Sequence, residues 1–187
     1  MSERGSRSWV VIALVAVGFV GMAIGVAKLL GYDPTGGPRS AIEGRSAPEV
    51  SLPLVAGEGA SDGDRVSVAG LQGTVVLLDF WASWCGPCRR SIPALNQVHE
   101  RYHDRVRFFG VNVEPGLSAT QVREAHADFG ANFPTLHDHR QEAQASYGVQ
   151  SIPTLVLIDR DGVVRHVERG VPDPEAVGEE LDRLLEP

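Results

Sequence analysis

Thr74-Val75-Val76-Leu77-Leu78-Asp79-Phe80-Trp81-Ala82-Ser83-Trp84-Cys85-Gly86-Pro87-Cys88-Arg89-Arg90 is the stretch on which the rest of the chain depends. Thr74 to Phe80 is an apolar run of strand length, the pattern of a strand buried on both faces of a sheet. A helix is expected to start at the cysteine pair and to run to about His103. A buried strand feeding a helix through a short loop is a unit of α/β architecture. Asp79 breaks the apolar run. A carboxyl isolated there, between Leu78 and Phe80, should have a raised pKa; the alternative is an exposed strand-end Asp.

The two cysteines, Cys85 and Cys88, are the only ones in the chain. A disulfide over so short a loop removes little chain entropy, so the pair matters through reactivity or metal binding rather than as a staple. At a helix N-terminus the free N–H groups and the positive dipole end stabilise a thiolate at Cys85. A thiolate is the attacking species in disulfide exchange. Cys88, one turn further in, is placed to attack a mixed disulfide formed at Cys85. Asp79 is a candidate to take the proton from Cys88 as it does so.

Elsewhere the pattern alternates strand and helix. Val50–Leu54 reads as a strand that Pro53 confines to a sheet edge, and Arg65–Val68 as a second short strand. Val106–Val113 is another buried strand. Ser118 can cap a helix over Ala119–Phe129. A short helix near Gln141–Tyr147 ends at Gly148. Leu155–Ile158 and Val163–Val167 flank a turn at Asp161-Gly162. Asp173 and Pro174 open a last helix to Leu185. His137 and His139 fall on a loop-like stretch. There are no internal repeats.

The chain has 187 residues, 43% hydrophobic and 22% charged, which suits one ordinary globular domain plus extensions. The formal net charge of −7 argues against a nucleic-acid partner. The N-terminal end is different. Residues 9–27 carry no charge, and about 20 apolar residues in a helix span the roughly 30 Å hydrocarbon layer of a membrane. Arg4 and Arg7 precede the run, which keeps the N-terminus cytoplasmic and sends the remainder across. The expected organisation is a cytoplasmic N-terminus over 1–8, an anchor or uncleaved signal over 9–30, a Gly/Pro/Ser linker over 31–46 and a soluble domain over 47–187. A signal peptide cleaved near Gly25-Val26-Ala27, giving a secreted or periplasmic protein, is the alternative. Either reading puts the domain where disulfides persist.

Taken together, Ala47-Pro48, Leu71-Gln72-Gly73, Phe80 to Cys88, Pro93, Leu95, Gly110-Val111-Asn112-Val113, Phe133-Pro134, Asp138, Tyr147-Gly148-Val149 and Ile152-Pro153-Thr154 resemble the thioredoxin-like, membrane-anchored TlpA/ResA/DsbE group. The resemblance covers about Gly44 to Leu185. It implies a thioredoxin-like α/β fold: a central mixed sheet flanked by helices, an N-terminal strand pair and a strand–helix insertion over Glu114–Phe133. It implies a protein-disulfide reductase or thiol–disulfide oxidoreductase, with Cys85 as nucleophile and Cys88 as resolving thiol. Pro153 would be a cis-proline facing the disulfide. Ile152 would offer backbone hydrogen bonds to an extended substrate, and Trp84, Gly86 and Pro87 would shape the surface around Cys85. The implied partners are exported Cys-containing proteins and a membrane electron donor, with no cofactor beyond the cysteine pair. Cytochrome c maturation is one implied setting. However, its members usually carry Glu where this chain has Ser91 and often Asn where it has Asp79. Both departures resemble thioredoxin itself.

Other readings remain beside this one. Oxidase or isomerase activity would use the same pair in another direction. A copper or zinc protein would join the cysteines to His137 or His139. A peroxidase would need a Pro/Thr context that the cysteine segment lacks. His99-Glu100-Arg101-Tyr102-His103 fits H-E-x-x-H, but it falls on the helix after the cysteines and is expected to be a solvated face.

Overall fold

A computed structural model describes residues 40–186 apart from Glu58, Gly59 and Asp62. The expected N-terminal segment, apolar span and most of the linker lie outside the described residues. Among the described residues no helix is long and apolar enough to cross a membrane.

The elements in order are β1 (Ser51–Ala56), β2 (Arg65–Ser67), β3 (Val75–Trp81), α1 (Gly86–Tyr102), β4 (Val106–Asn112), α2 (Ala119–Phe129), β5 (Thr135–His137), α3 (Glu142–Ser146), β6 (Thr154–Ile158), β7 (Val164–Arg169) and α4 (Pro174–Leu185). The strands form one mixed sheet in the order β2-β1-β5-β4-β3-β6-β7. β3, β4 and β5 run parallel, and β1, β2, β6 and β7 join antiparallel. β3 has a strand on each side and every residue of it is buried, as its apolar run requires.

The helices keep the spacing that their sequences carry. In α1 the buried residues are Cys88, Ser91, Ile92, Leu95, Val98 and Tyr102, one stripe at i, i+3, i+4 and i+7. Tyr102 Oη donates to the carbonyl of Gly178 at 3.1 Å, tying α1 to α4. Ser118 and Gln121 form a reciprocal capping box at the start of α2, and Gly130 ends it in the left-handed conformation. Asp173 caps α4 by accepting from Glu175 N–H.

Three expectations need correction or refinement. β1 is not an edge strand, because β5 pairs on its other side. Pro53 is tolerated because the ladder does not use its missing donor: it faces Arg65, and the neighbouring Leu54 N–H bonds Asp64. His139 lies in a turn as expected, but His137 is not on a loop. Thr135–His137 is a strand between β1 and β4, too short for a period-2 signal to show. Finally, residues 40–46, assigned to the linker, are packed on β7. Ser46 bridges to Val163, Glu43 accepts from Val167 N–H at 2.8 Å, and Ile42 is buried.

Candidate functional site

The end of β3 delivers the site. After Trp81 the chain turns through Ala82-Ser83-Trp84, and Cys85 becomes the cap of α1. Its Sγ accepts from the backbone N–H of Cys88 at 3.1 Å. Cys85 and Cys88 are joined in a disulfide with a Cα–Cα distance of 5.2 Å. Cys88 is fully buried and Cys85 nearly so, while Trp84, Gly86 and Pro87 beside them are exposed.

The Ile152–Pro153 bond is cis. Thr154, the next residue, pairs with Phe80 near the end of β3, so Pro153 lies at the same end of the strands as the cysteine loop. The carbonyl of Pro153 accepts from Gly170 N–H at 2.9 Å. Ile152 is half-buried.

Asp79 faces Gly110 on β4 and Leu155 on β6. It is completely buried, and neither carboxylate oxygen has a hydrogen-bond partner among the described residues. Burial alone pushes its pKa up to about 8. An exposed strand-end Asp is thereby ruled out. Such a group holds a proton at neutral pH and can exchange it close to neutrality.

A second polar cluster has no motif to mark it in the sequence. Glu114 follows the buried end of β4. Its carboxylate accepts from Ser83 N–H at 2.6 Å, Ser83 Oγ at 2.9 Å and Asn112 Nδ2 at 3.1 Å. The loop before Cys85 is therefore tied to β4. The only sequence signal is an acidic residue next to an apolar strand end. Ser91, in contrast, is buried and gives its hydroxyl to the carbonyl of Cys88 at 3.0 Å.

The histidines are placed elsewhere. His137 Nε2 donates to the Glu114 carbonyl at 2.9 Å, and its ring lies 5.7 Å from that of His139. His99 packs against Phe108 and Phe133. Among the described residues no three His, Cys, Asp or Glu side chains gather to hold a metal ion. The metal reading, which would have joined the cysteines to a histidine, is not favoured.

A family model described as Redoxin matches residues 42–185. The chain belongs to the Redoxin family. It is 33% identical over 141 residues to the thioredoxin-like protein YneN of Bacillus subtilis, spanning 75% of this chain and 79% of that protein. It is 34% identical over 115 residues to the thiol-disulfide oxidoreductase ResA of Geobacillus thermodenitrificans, covering 60% of this chain and 64% of that one. Among solved structures, a putative thiol:disulfide interchange protein DsbE from Chlorobium tepidum superposes with a TM-score of 0.67 at 33% identity, over 77% of this chain and 98% of that one. The fold is thus thioredoxin-like. A Redoxin-family domain with a cysteine pair bonded across a helix start, and with relatives so named, is a thiol–disulfide oxidoreductase.

Proposed function

We propose that the chain reduces disulfides of exported proteins outside the cytoplasm, held to the membrane by its N-terminal apolar segment. The observation that carries the reductive chemistry is Asp79, buried without a partner behind a cysteine pair that caps a helix. The Gly-Pro dipeptide between the cysteines and the resemblance to thioredoxin support the same direction. The uncharged run over residues 9–27 supports the location.

In the reduced form, the Cys85 thiolate attacks one sulfur of the substrate disulfide. The substrate S–S bond breaks, and its other sulfur leaves as a thiolate that takes a proton from solvent. A mixed disulfide now joins Cys85 to the substrate. The ionised fraction of Asp79, which a pKa of about 8 leaves accessible near neutral pH, takes the proton of Cys88, and the Cys88 thiolate attacks Cys85 Sγ. The mixed disulfide breaks, the second substrate sulfur leaves as a thiolate that is protonated as Asp79 gives its proton up, and the Cys85–Cys88 disulfide remains. Two electrons have moved to the substrate. A membrane dithiol donor supplies two more, becoming a disulfide as Cys85 and Cys88 are reduced again, and no cofactor beyond the cysteine pair is needed. Trp84, Gly86, Pro87, Ile152 and Pro153 form the face that the substrate meets.

Ser91 and Asp79 point to a general reductase of exported proteins rather than one dedicated to cytochrome c maturation. Where cytochrome-maturation members carry Glu, this chain has a buried hydroxyl that is already bonded.

The decisive measurement is the reduction potential, with insulin reduction as the activity assay. A potential near thioredoxin's roughly −270 mV is expected. One near the roughly −120 mV of a strong disulfide-forming oxidant would reverse the direction.

A further inference from the structure

Trp84 is 73% exposed, the most exposed large apolar side chain among the described residues. It does not stand on a flat surface. It walls an open cleft of about 320 Å³ whose lining also includes Ile152, Glu114, Gln141, Gln144 and Gln150. Cys85 follows Trp84 directly, so the cleft begins beside the reactive pair and runs to α3.

The lining is one-sided in charge. It holds one carboxylate and several neutral amides, and among the described residues that line it there is no Lys, Arg or His. Glu114 accepts only from neutral donors, the Ser83 N–H and hydroxyl and the Asn112 amide. It joins no ion pair among the described residues. Its charge is held in place, half-buried and uncompensated. A fixed carboxylate near an apolar wall attracts a cation more strongly than one in open water.

Gln141 adds a conformational mark. It is the only non-glycine residue with positive φ among the described residues, at φ 57° and ψ 26°. Its amide reaches the Val113 carbonyl at 3.3 Å and Gln144 Oε1 at 3.0 Å. Backbone strain of this kind persists where contacts enforce it, and it gathers at ligand sites.

The geometry points to this cleft as a subsite for a basic side chain, Lys or Arg, flanking the substrate cysteine that Cys85 attacks. Glu114 supplies the charge. The Trp84 ring supplies a π-face for the cation and an apolar surface for its stem. The glutamine carbonyls supply acceptors for the remaining N–H groups. An acidic residue in the same place would meet repulsion from Glu114. This subsite rests on the reductase reading and narrows its substrate class to segments with a basic residue beside the cysteine.

The test uses the full chain, pre-reduced, in single-turnover reactions. Three peptides each carry one cysteine blocked as a mixed disulfide with mercaptoethanol. They differ only in the flanking residues, which are Lys, Ala or Glu. The Lys peptide should react about tenfold faster than the Ala peptide, and the Glu peptide more slowly than either. Added salt should shrink the spread. Glu114→Gln keeps an oxygen for the Ser83 N–H but removes the charge, and it should bring the Lys and Ala peptides within about twofold. A purely structural effect would slow all three alike and leave the ratio untouched. Equal rates for Lys and Ala in the native chain, or a Lys preference that survives Glu114→Gln, overturn the subsite and leave the reductase reading standing. Failure to reduce any of the three overturns the reductase reading and the subsite that rests on it.

Discussion

Cys88 donates its backbone N–H to the sulfur of Cys85 at 3.1 Å, so the first cysteine caps the helix that carries the second. In the reduced state the same N–H and the positive end of α1 stabilise negative charge on Cys85. Cys88, wholly buried, gains no such help. Cys85 should therefore titrate well below the ordinary thiol value of about 8.5, and Cys88 above it. Iodoacetamide alkylation of the Cys88→Ser and Cys85→Ser variants across pH separates the two. Superimposable profiles would contradict the cap argument. Cys88→Ser should also accumulate the mixed disulfide with substrate, visible by non-reducing mass spectrometry.

Asp79 makes a linked prediction about rate and stability. With a folded pKa of about 8 against an unfolded value of 3.8, the native state holds a proton that the unfolded chain releases. Stability contributed by this group is therefore full below pH 3.8 and declines until pH passes about 8. Asp79→Asn should stabilise the oxidised protein. The gain should grow across that window towards several kcal/mol, since each tenfold difference in proton affinity between folded and unfolded chain is worth about 1.4 kcal/mol. Urea denaturation at pH 5 and pH 8 reads the difference. The same variant should slow release of the mixed disulfide more than its formation. Equal slowing of both steps would remove Asp79 from proton transfer.

Gly110 sits opposite Asp79 in the β3–β4 register. A Cβ added there would lie 2.8 Å from Thr135 Oγ1 and 2.9 Å from Trp81 Nε1, with Phe133 at 3.4 Å. Those neighbours are buried and cannot withdraw freely. Thr135 Oγ1 is bonded to His126 Nδ1 at 3.0 Å, and the Gly110 N–H is fixed to the Pro134 carbonyl at 2.8 Å. Gly110→Ala should destabilise the domain by about 1–3 kcal/mol, the usual effect of overpacking a core. Urea midpoints check it, and an unchanged midpoint would mean that Trp81 moves aside.

What the sequence made legible was whatever local pattern encodes. The apolar run before Cys85 gave β3, the cysteine pair at its end marked the start of α1, and Ser118 gave the cap of α2. Asp79 could be singled out because a lone carboxyl in such a run is costly without a reason. β5 was hidden because three residues cannot show a period, and its identity as a strand comes from the partners on either side of it. Pro53 misled for the same reason, since which side of a strand needs donors is a property of the whole sheet. Glu114 escaped because its three bonds reach back 31 residues to Ser83, or come from Asn112 at the strand end. Nothing local distinguishes a carboxylate with such partners from a solvated one.

The segment before the first strand gives the last prediction. β7 ends the sheet order, and its outer edge would be open but for residues 42–47. Gly44 N–H bonds the Val164 carbonyl at 2.8 Å, Val164 N–H bonds the Arg45 carbonyl at 2.9 Å, and Ala47 N–H bonds the Gly162 carbonyl at 2.7 Å. Glu43 takes the Val167 N–H, and Ile42 fills a place in the core cluster. Burying an Ile side chain contributes about 1.5–3 kcal/mol, and each internal hydrogen bond adds about 1 kcal/mol net. A domain that starts at Ala47 should therefore be less stable than one that starts at Ser40, by at least about 2 kcal/mol in urea. It should also associate more readily, because an uncovered strand edge recruits another chain. Glu43→Ala alone should lose about 1–2 kcal/mol by stranding the Val167 N–H. Matching urea curves for the two start points would show that the segment merely lies along β7 and does not hold it.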